Sequence, residues 1–125
     1  MLSKEEILKA DDIVIEEVPV PIWGGSVLVR GLSGTDRDAF EQSVVEGKKM
    51  NIANIRARLC AKTICDTDGN RLFDDSDVIA LGNKSASALN TVFEAAQRLN
   101  GMSADDVKEL EKNSGSGPSG DSISD

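Results

Sequence analysis

Apolar residues recur at helical spacing most regularly between residues 85 and 100. Steps of three and four residues place side chains on one face of an α-helix. The pattern therefore predicts an amphipathic helix, which Gly101 ends. Its buried stripe consists of Leu89, Val92, Phe93, Ala96 and Leu99.

Shorter helices are predicted at several other places from capping residues and apolar spacing. Ser3 and Glu6 form a capping box at the start of the first. Thr35 can cap the second, which buries Phe40 and Val44. The predicted spans are residues 3 to 9, 35 to 47, 51 to 64 and 76 to 81, with a last helix starting at Ser103. The third carries its apolar stripe at Ile52, Ile55 and Leu59.

The segment IVIEEVPVPIW, residues 13 to 23, is rich in β-branched residues and predicts a β-strand. Its apolar parity changes across Glu16 and Glu17, so the pattern predicts a bulge or break there. Pro19 and Pro21 cannot donate to a ladder, which places the strand at a sheet edge.

A hairpin turn is predicted at Gly24 and Gly25, because two adjacent glycines supply the positive φ angles of a two-residue turn. The strands on either side then form an antiparallel pair. The predicted cross-strand pairs are Ile22 with Val27 and Val20 with Val29.

Together these elements predict an α+β fold in a single domain over residues 1 to 112. A small N-terminal antiparallel β-hairpin or meander packs against a cluster of about five short helices. Residues 113 to 125 have almost nothing to bury and are expected to form a disordered tail.

The composition limits both the core and the classes of function. Of 125 residues, 39% are hydrophobic and 3% aromatic, so the core must be mainly aliphatic. The net charge of −8 disfavours general attraction to nucleic acid or to anionic membranes. The N-terminus lacks a basic region leading into an apolar stretch, and no apolar run reaches the length of a membrane span. We therefore expect an unprocessed cytoplasmic protein.

The residue types needed for catalysis are scarce. The chain contains no histidine and no tyrosine, and its acids fall at caps, turns and exposed helix faces. Cys60 and Cys65 have a spacing that suits neither a disulfide nor a zinc site, and both are expected to be reduced core residues. We therefore expect no catalytic residues, no metal and no cofactor.

Five aspartates occur in the twelve residues DTDGNRLFDDSD, from 66 to 77, which raises the question of a metal site. A helix-loop-helix calcium site needs glycine at the sixth place and glutamate at the twelfth. With Asp66 first, those places are taken by Arg71 and Asp77, so the ligand order is wrong.

A turn followed by a helix cap explains this loop better. Asp68 and Gly69 predict a tight turn. The acids just before Val78 favour a helix start, where a side-chain acceptor and negative charge are stabilising. Leu72 and Phe73, between the turn and the cap, are expected to re-enter the core.

Residues 48 to 62 are basic in an otherwise acidic chain, which suggests a nucleic-acid interface. Arg58 and Lys62 share a helix face, but Arg56 points elsewhere, and no aromatic residue is interleaved for base stacking. We therefore interpret the segment as a solvated helix flank or as a face that docks on an acidic partner. Its basic residues are Lys48, Lys49, Arg56, Arg58 and Lys62.

Two stretches resemble the tail assembly chaperones of long-tailed bacteriophages and prophages, namely WGGSVLVRGLSGTDRDAFE and DTDGNRLFDDSDVIALGNKSASALNTVFEAAQRLNGMS. The likeness covers roughly residues 1 to 112, by overall pattern rather than by a catalytic signature. It implies a protein made in the infected cell and absent from the finished virion, which binds the tape measure protein and has the tail tube protein as a further partner. It also implies a short and a frameshift-extended form, of which this chain is the short one.

The resemblance makes a chaperone for the tape measure protein the expected function. A structural virion component, such as a tail terminator or head-tail connector, is the alternative, and a small regulator acting through the basic segment is a third. Gene position separates the first two, because a chaperone gene should lie between the tube gene and a long tape measure gene.

The candidate partner surface lies at the end of the domain. The last predicted helix is short for independent stability, so another chain could complete its apolar side. This hypothesis assigns partner binding or self-association to Leu99, Met102, Val107 and Leu110.

Overall fold

The computed structural model describes residues 1–46 and 49–102, and it confirms the predicted α+β fold. The helices are α1 (Lys4–Lys9), α2 (Gly34–Val44), α3 (Ile55–Thr63), α4 (Val78–Gly82) and α5 (Ala86–Leu99). The strands are β1 (Ile15–Val20), β2 (Gly25–Arg30), β3 (Val45–Glu46), β4 (Lys49–Met50) and β5 (Ile64–Cys65). Short 3-10 turns at Pro21–Trp23 and Asp75–Asp77 precede β2 and α4.

The hairpin of β1 and β2 has a different register from the predicted one. Residues 21 to 24 connect the strands, because a 3-10 turn follows β1 and Gly24 closes it at a φ of 79°. The predicted pairs Ile22 with Val27 and Val20 with Val29 are therefore wrong, and the observed pairs are Val18 with Val27 and Val20 with Gly25. Since the register differs by an even number of residues, the same side chains of β1 still face the core.

The predicted bulge in β1 is also wrong. All 6 residues of the strand have partners in β2. Glu16 lies on the same face as the buried Val18 and Val20, and its carboxylate accepts two hydrogen bonds from Arg98 of α5, at 2.9 and 2.8 Å. The alternation of apolar residues is broken here because the inward-facing position is occupied by Glu16, whose charge is paired by Arg98 of α5. As predicted, β1 lies at the edge of the sheet.

The third strand of the sheet, β5, is absent from the prediction. A helix was expected to continue through residue 64, but the chain becomes extended at Ile64, which pairs with Val29 of β2. The sheet order is β1-β2-β5, and both pairings are antiparallel. A buried apolar residue at the end of a helix fits a short core strand equally well, so periodicity does not separate the two.

The core lies between the sheet and the inner faces of α2, α3 and α5. The predicted burial of Phe40 and Val44 is confirmed, as is the stripe of α5, in which Leu99 is half-buried. The largest fully buried side chains include Phe40, Leu59, Ile64, Val20 and Val29. As expected from the composition, aliphatic side chains dominate this core.

Side-chain caps start α1, α2 and α5, whereas α3 and α4 begin without one. The start of α2 is capped by Ser33, whose Oγ accepts a hydrogen bond from the backbone N–H of Asp36 at 3.1 Å, so the predicted cap at Thr35 is wrong by two residues. The predicted stop at Gly47 is wrong, because α2 ends at Val44 and the chain continues as β3. The helix from Ser103 and the tail from 113 to 125 lie outside the described residues.

Candidate partner-binding surfaces

The first fifteen residues, here called the apolar arm (residues 1–15), expose many large apolar side chains. None of the 6 residues of α1 is buried, and Ile7 and Leu8 are 56% and 75% exposed. So short a helix gains most of its stability in a protein from packing on another surface. The exposed apolar residues are Met1, Leu2, Ile7, Leu8, Ile13, Val14 and Ile15. The arm is therefore a candidate partner surface.

The predicted capping box starts α1. The N–H of Glu6 donates to Ser3 Oγ at 3.1 Å, and the N–H of Ser3 donates back to Glu6 Oε1 at 2.8 Å. The two bonds satisfy donors that the first turn of a helix leaves without partners. The start of the helix is thus specified by its own sequence.

A second apolar surface is concave and is here called the apolar cup. Its cavity has a volume of about 380 Å³ and is lined by Trp23, Phe73, Asp77, Ala80, Leu81 and Lys84. Trp23 and Phe73 are partly buried and pack against the core, while Leu81 is part of it. Ile22 and Leu72, which precede the two aromatic residues in sequence, are exposed, as is Ile79 of α4. The volume falls within the range of about 300–1,000 Å³ typical of ligand sites.

Three local structures bring the lining of the cup together. The 3-10 turn at Pro21–Trp23 presents the indole at the end of the hairpin. The turn at Asp68 and Gly69 returns the chain so that the N–H of Leu72 donates to the carbonyl of Ile64 at 3.1 Å, which places Phe73 beside the domain. The third is α4, which supplies Ala80 and Leu81. The prediction that Leu72 re-enters the core is wrong, because its side chain is 57% exposed.

The aspartate-rich loop begins with the predicted turn, but its cap lies one residue earlier than the predicted acids and caps the 3-10 turn at Asp75–Asp77 rather than α4. Asp66 Oδ1 accepts hydrogen bonds from the N–H groups of Asp68 and Asn70 at 2.8 and 3.0 Å, and Gly69 has a φ of 85°. The cap is Asp74, which accepts from the N–H of Ser76 at 2.9 Å. The hydrogen bonds from Ser76 lower the pKa of the Asp74 carboxyl. These carboxylates therefore have structural roles in shaping the backbone.

Residues 1–46 and 49–102 contain no group of three or more cysteine or acidic side chains that could hold a metal ion. Asp66, Asp74 and Asp77 accept hydrogen bonds from backbone N–H groups. Asp75 accepts from Arg71 at 2.9 Å, and this bond lowers the pKa of the Asp75 carboxyl.

The basic segment is not the solvated flank that was predicted. The Arg58 guanidinium donates to the carbonyls of Ser43, Asn51 and Ala53 at 2.7, 2.6 and 2.9 Å, which ties the end of α2 to the start of α3. Lys62 is buried, and its Nζ lies 3.5 Å from Asp75. The Arg58 guanidinium is held by backbone carbonyls, whereas the Lys62 side chain is buried and its ammonium reaches the exposed carboxylate of Asp75.

Arg56 behaves differently from these two residues. It is exposed, its guanidinium carbon lies 5.4 Å from the ring centroid of Phe93, and its Nε donates to Asn90 at 3.3 Å. The prediction that Arg56 points away from Arg58 is confirmed. The basic residues are thus divided between internal ties and a contact with α5.

The residues assigned to the candidate surface fall in different places. Leu99 is half-buried and lines a groove of about 330 Å³ together with Ile13, Val14 and Leu32. Met102 is 6% exposed and belongs to the core. Val107 and Leu110 lie outside the described residues. The assignment of these four residues to a partner surface remains a prediction.

Both cysteines are free and buried, which confirms their predicted place in the core. Burial raises the pKa of the Cys60 thiol to about 12, and its Sγ lies 3.6 Å from the carbonyl of Leu89. Burial also raises the pKa of Cys65. Both groups therefore remain protonated thiols near neutral pH.

Sequence reasoning missed the two apolar surfaces. In the sequence, the arm has the pattern of an ordinary short amphipathic helix. Whether its apolar side chains are buried depends on the packing of other elements against it, which the sequence does not show. A single tryptophan next to a glycine turn is a signal that could have pointed to the cup, since aromatic side chains are enriched in binding surfaces.

Comparison with known proteins gives the chain its family. Among the described residues, no helix is long and apolar enough to cross a membrane. The fold is similar to that of the bacteriophage HK97 tail assembly chaperone, with a TM-score of 0.54, 19% sequence identity and coverage of 77% of this chain and 96% of that one. No curated protein matches the chain. The family model of the phage tail assembly chaperones matches residues 5–113, and the protein therefore belongs to this family.

Proposed function

We propose that this protein is a non-catalytic chaperone that binds the tape measure protein during tail assembly and keeps it soluble. Membership of the family supports a role in tail assembly. The structural observation that carries the proposal is the apolar surface left open on the apolar arm and in the apolar cup. Open apolar surface of this kind is typical of binding sites for the apolar faces of partner helices.

The charge of the chain supports the same role. A protein that covers an aggregation-prone helix must stay dispersed while its own apolar surface is in use. The net charge of −8 provides mutual repulsion between complexes. The apolar surfaces thus bind, and the surrounding acids keep the complex in solution.

Several finer features belong to this proposal. The protein acts in the cytoplasm of the bacterial host, is absent from the mature virion, and has the tail tube protein as a further partner. The region of Leu99, Met102, Val107 and Leu110 serves self-association or partner binding. The groove beside Leu99 supports this assignment because it is open to solvent and joins the arm to the end of α5.

Co-expression with the tape measure protein of the same phage tests the role. We expect the tape measure protein to move from the insoluble to the soluble fraction and to co-purify with the chain. The double variant Ile7→Ser and Leu8→Ser should reduce this effect, since it removes apolar surface from the arm. Its free energy of unfolding should stay within about 0.5 kcal/mol of the wild type, because both side chains are exposed.

Val45→Ser is the matched control, because Val45 is an exposed apolar residue of β3 outside the arm. It should solubilise the tape measure protein as well as the wild type does. A tape measure protein that is equally soluble without the chain would contradict the proposal. Stoichiometric amounts of the chain in purified virions would instead favour a structural component.

A further inference from the structure

We propose that residues 103–112 of this chain cover the groove beside Leu99 in the free protein, and that a partner reaches the groove by displacing them. The inference rests on the function proposed above and adds a form of regulation to it. It follows from the walls of the groove, the place where the described chain ends and the apolar pattern of the segment that continues it.

The groove is lined by the end of α5, the apolar arm and the start of α2. The end of α5 contributes Leu99 and Asn100, and the arm contributes residues 12 to 14. Ile13 and Val14 are 37% and 60% exposed, and Leu99 is half-buried. The described residues therefore leave apolar side chains uncovered along this groove, which has a volume of about 330 Å³.

Hydrogen bonds hold the walls of the groove together. The N–H of Leu32 donates to Asn100 Oδ1 at 2.6 Å, and the Arg37 guanidinium donates to the carbonyl oxygen of Asn100 at 3.1 Å. The N–H of Gly31 donates to the carbonyl oxygen of Val14 at 2.8 Å. The groove is therefore preformed, which lowers the entropic cost of filling it.

The chain leaves α5 in a turn that returns it to the domain. Gly101 has a φ of 66°, and the N–H of Met102 donates to the carbonyl of Gln97 at 2.8 Å, which is the bond of a helix end that reverses the chain. The Met102 side chain is 6% exposed and fixes this turn in the core. Asn100 lines the groove two residues earlier, so its Cα atom lies at most about 7.6 Å from that of Met102. Residue 103 therefore begins beside the groove.

The segment that continues the chain has a pattern that suits the groove. Its sequence is SADDVKELEK, in which Ala104, Val107 and Leu110 recur at intervals of three residues. This spacing places the three side chains on one face of a helix, with charged residues on the other faces. A helix of ten residues is marginal by itself in water, so it gains stability when its apolar face packs on another surface.

The extent of the family match supports the inclusion of this segment in the domain. The family model matches residues 5–113, so it continues past Met102 and through the whole segment. The match ends where the glycine- and serine-rich sequence SGSGPSG begins. The segment thus belongs with the domain rather than with the polar sequence that follows it.

Attachment at Met102 favours the chain's own segment over that of a second copy. A short tether keeps the effective concentration of the segment at the groove on the order of 1 mM, whereas a second copy must come from solution. A helix of the tape measure protein must compete with this tethered segment. The competition excludes helices that bind the groove only weakly.

Methyl NMR of the whole chain of 125 residues tests the contact. We expect nuclear Overhauser effects between the methyl groups of Val107 or Leu110 and those of Ile13 or Leu99. A mixture of chains that carry different isotope labels separates contacts within one chain from contacts between two. The effects should be lost when only contacts between differently labelled chains are recorded.

The double variant Val107→Ser and Leu110→Ser removes the apolar anchors of the segment. We expect it to shift the methyl resonances of Ile13 and Leu99 and to bind the tape measure protein severalfold more tightly, because the groove is no longer covered. The buried methyl groups of Leu59 establish that the variant is folded.

Glu109→Ser with Lys112→Ser is the matched control. Both positions lie on the opposite face of the predicted helix, and the pair of changes keeps the net charge at −8. This variant should keep the Overhauser effects, the methyl resonances and the affinity of the wild type.

Each outcome decides between the alternatives. Overhauser effects found only between differently labelled chains would make a second copy the occupant and overturn the contact within one chain. Their absence, with unchanged Ile13 and Leu99 resonances in Val107→Ser and Leu110→Ser, would overturn the docking of the segment. Weaker binding of the tape measure protein by this variant would overturn displacement and make the segment itself a partner contact. Because the NMR measurements use the free chain, failure of the tape measure protein to bind the wild type would defeat the proposed function alone.

Discussion

At the scale of single residues, Arg58 shows how one side chain organises a connection. Its guanidinium reaches the carbonyl of Ser43 in α2 and the carbonyls of Asn51 and Ala53 in the segment that joins α2 to α3. The sequence predicted that Arg58 is solvated. Its acceptors are backbone carbonyls, which every residue carries, so no residue type in the sequence indicates them. Lys62 was misjudged for the same reason, since its place depends on where Asp75 returns in space. The burial of Phe40 and Val44 was predicted correctly, because a spacing of four residues places both on the same face of a helix.

Arg58→Lys should destabilise the domain by about 2 kcal/mol, because an ammonium group does not reproduce the planar fork that reaches several carbonyls. Urea unfolding measures the change. Arg56→Lys is the control, and it should cost less than about 1 kcal/mol because its ring contact and hydrogen bond are exposed. Equal losses for the two variants would show that the carbonyl contacts contribute little.

At the scale of elements, long periodic segments were predictable and short non-local ones were not. The helix α5 follows one apolar period from its cap at Ser85 to its end near Leu99, so both its span and its buried face were predicted. The strand β5 has 2 residues and exists because β2 lies beside it, which no local pattern records. The register of the hairpin depended on the turn, where Pro21 favoured a 3-10 turn over the predicted two-glycine turn.

Alanine at the two hairpin glycines separates the two turns. Gly24 has a φ of 79° while Gly25 does not adopt positive φ, and a Cβ at either position has no neighbour within 4 Å. Gly24→Ala should therefore cost about 1 kcal/mol from backbone strain, whereas Gly25→Ala should leave the free energy of unfolding nearly unchanged. Chemical denaturation of both variants measures this. Similar losses at both positions would support the two-residue turn.

At the scale of the whole molecule, family and fold class were predictable, but the open surfaces were not. The resemblance rested on a combination of turns, caps and amphipathic faces, and the family model confirms it over residues 5–113. The exposure of the arm and the cup is decided by tertiary packing, which the sequence does not show. In the sequence, their residues look like ordinary core or helix positions. Leu99 was placed on the candidate surface and does line a groove, whereas Met102 is taken up by the core.

The gene should encode two products that share this domain. Lys112 and Asn113 can be encoded by AAA AAC, a run of adenines on which a ribosome can slip backward by one base. We expect a slippery heptamer at or near these codons and an overlapping frame that extends the same domain. Reading the nucleotide sequence around them checks this. A gene with no overlapping frame downstream would remove the two-form mechanism while leaving a single-form chaperone.

The capping box of the arm has a consequence for the thermodynamics of association. A segment that folds only on binding loses backbone freedom at that moment, and this loss opposes the complex. Ser3 and Glu6 instead satisfy the first N–H groups of α1 within the arm itself, although the helix buries nothing. The cap thus favours the helical turn that carries the exposed Ile7 and Leu8, so it offsets part of the entropic cost of ordering the arm when a partner docks.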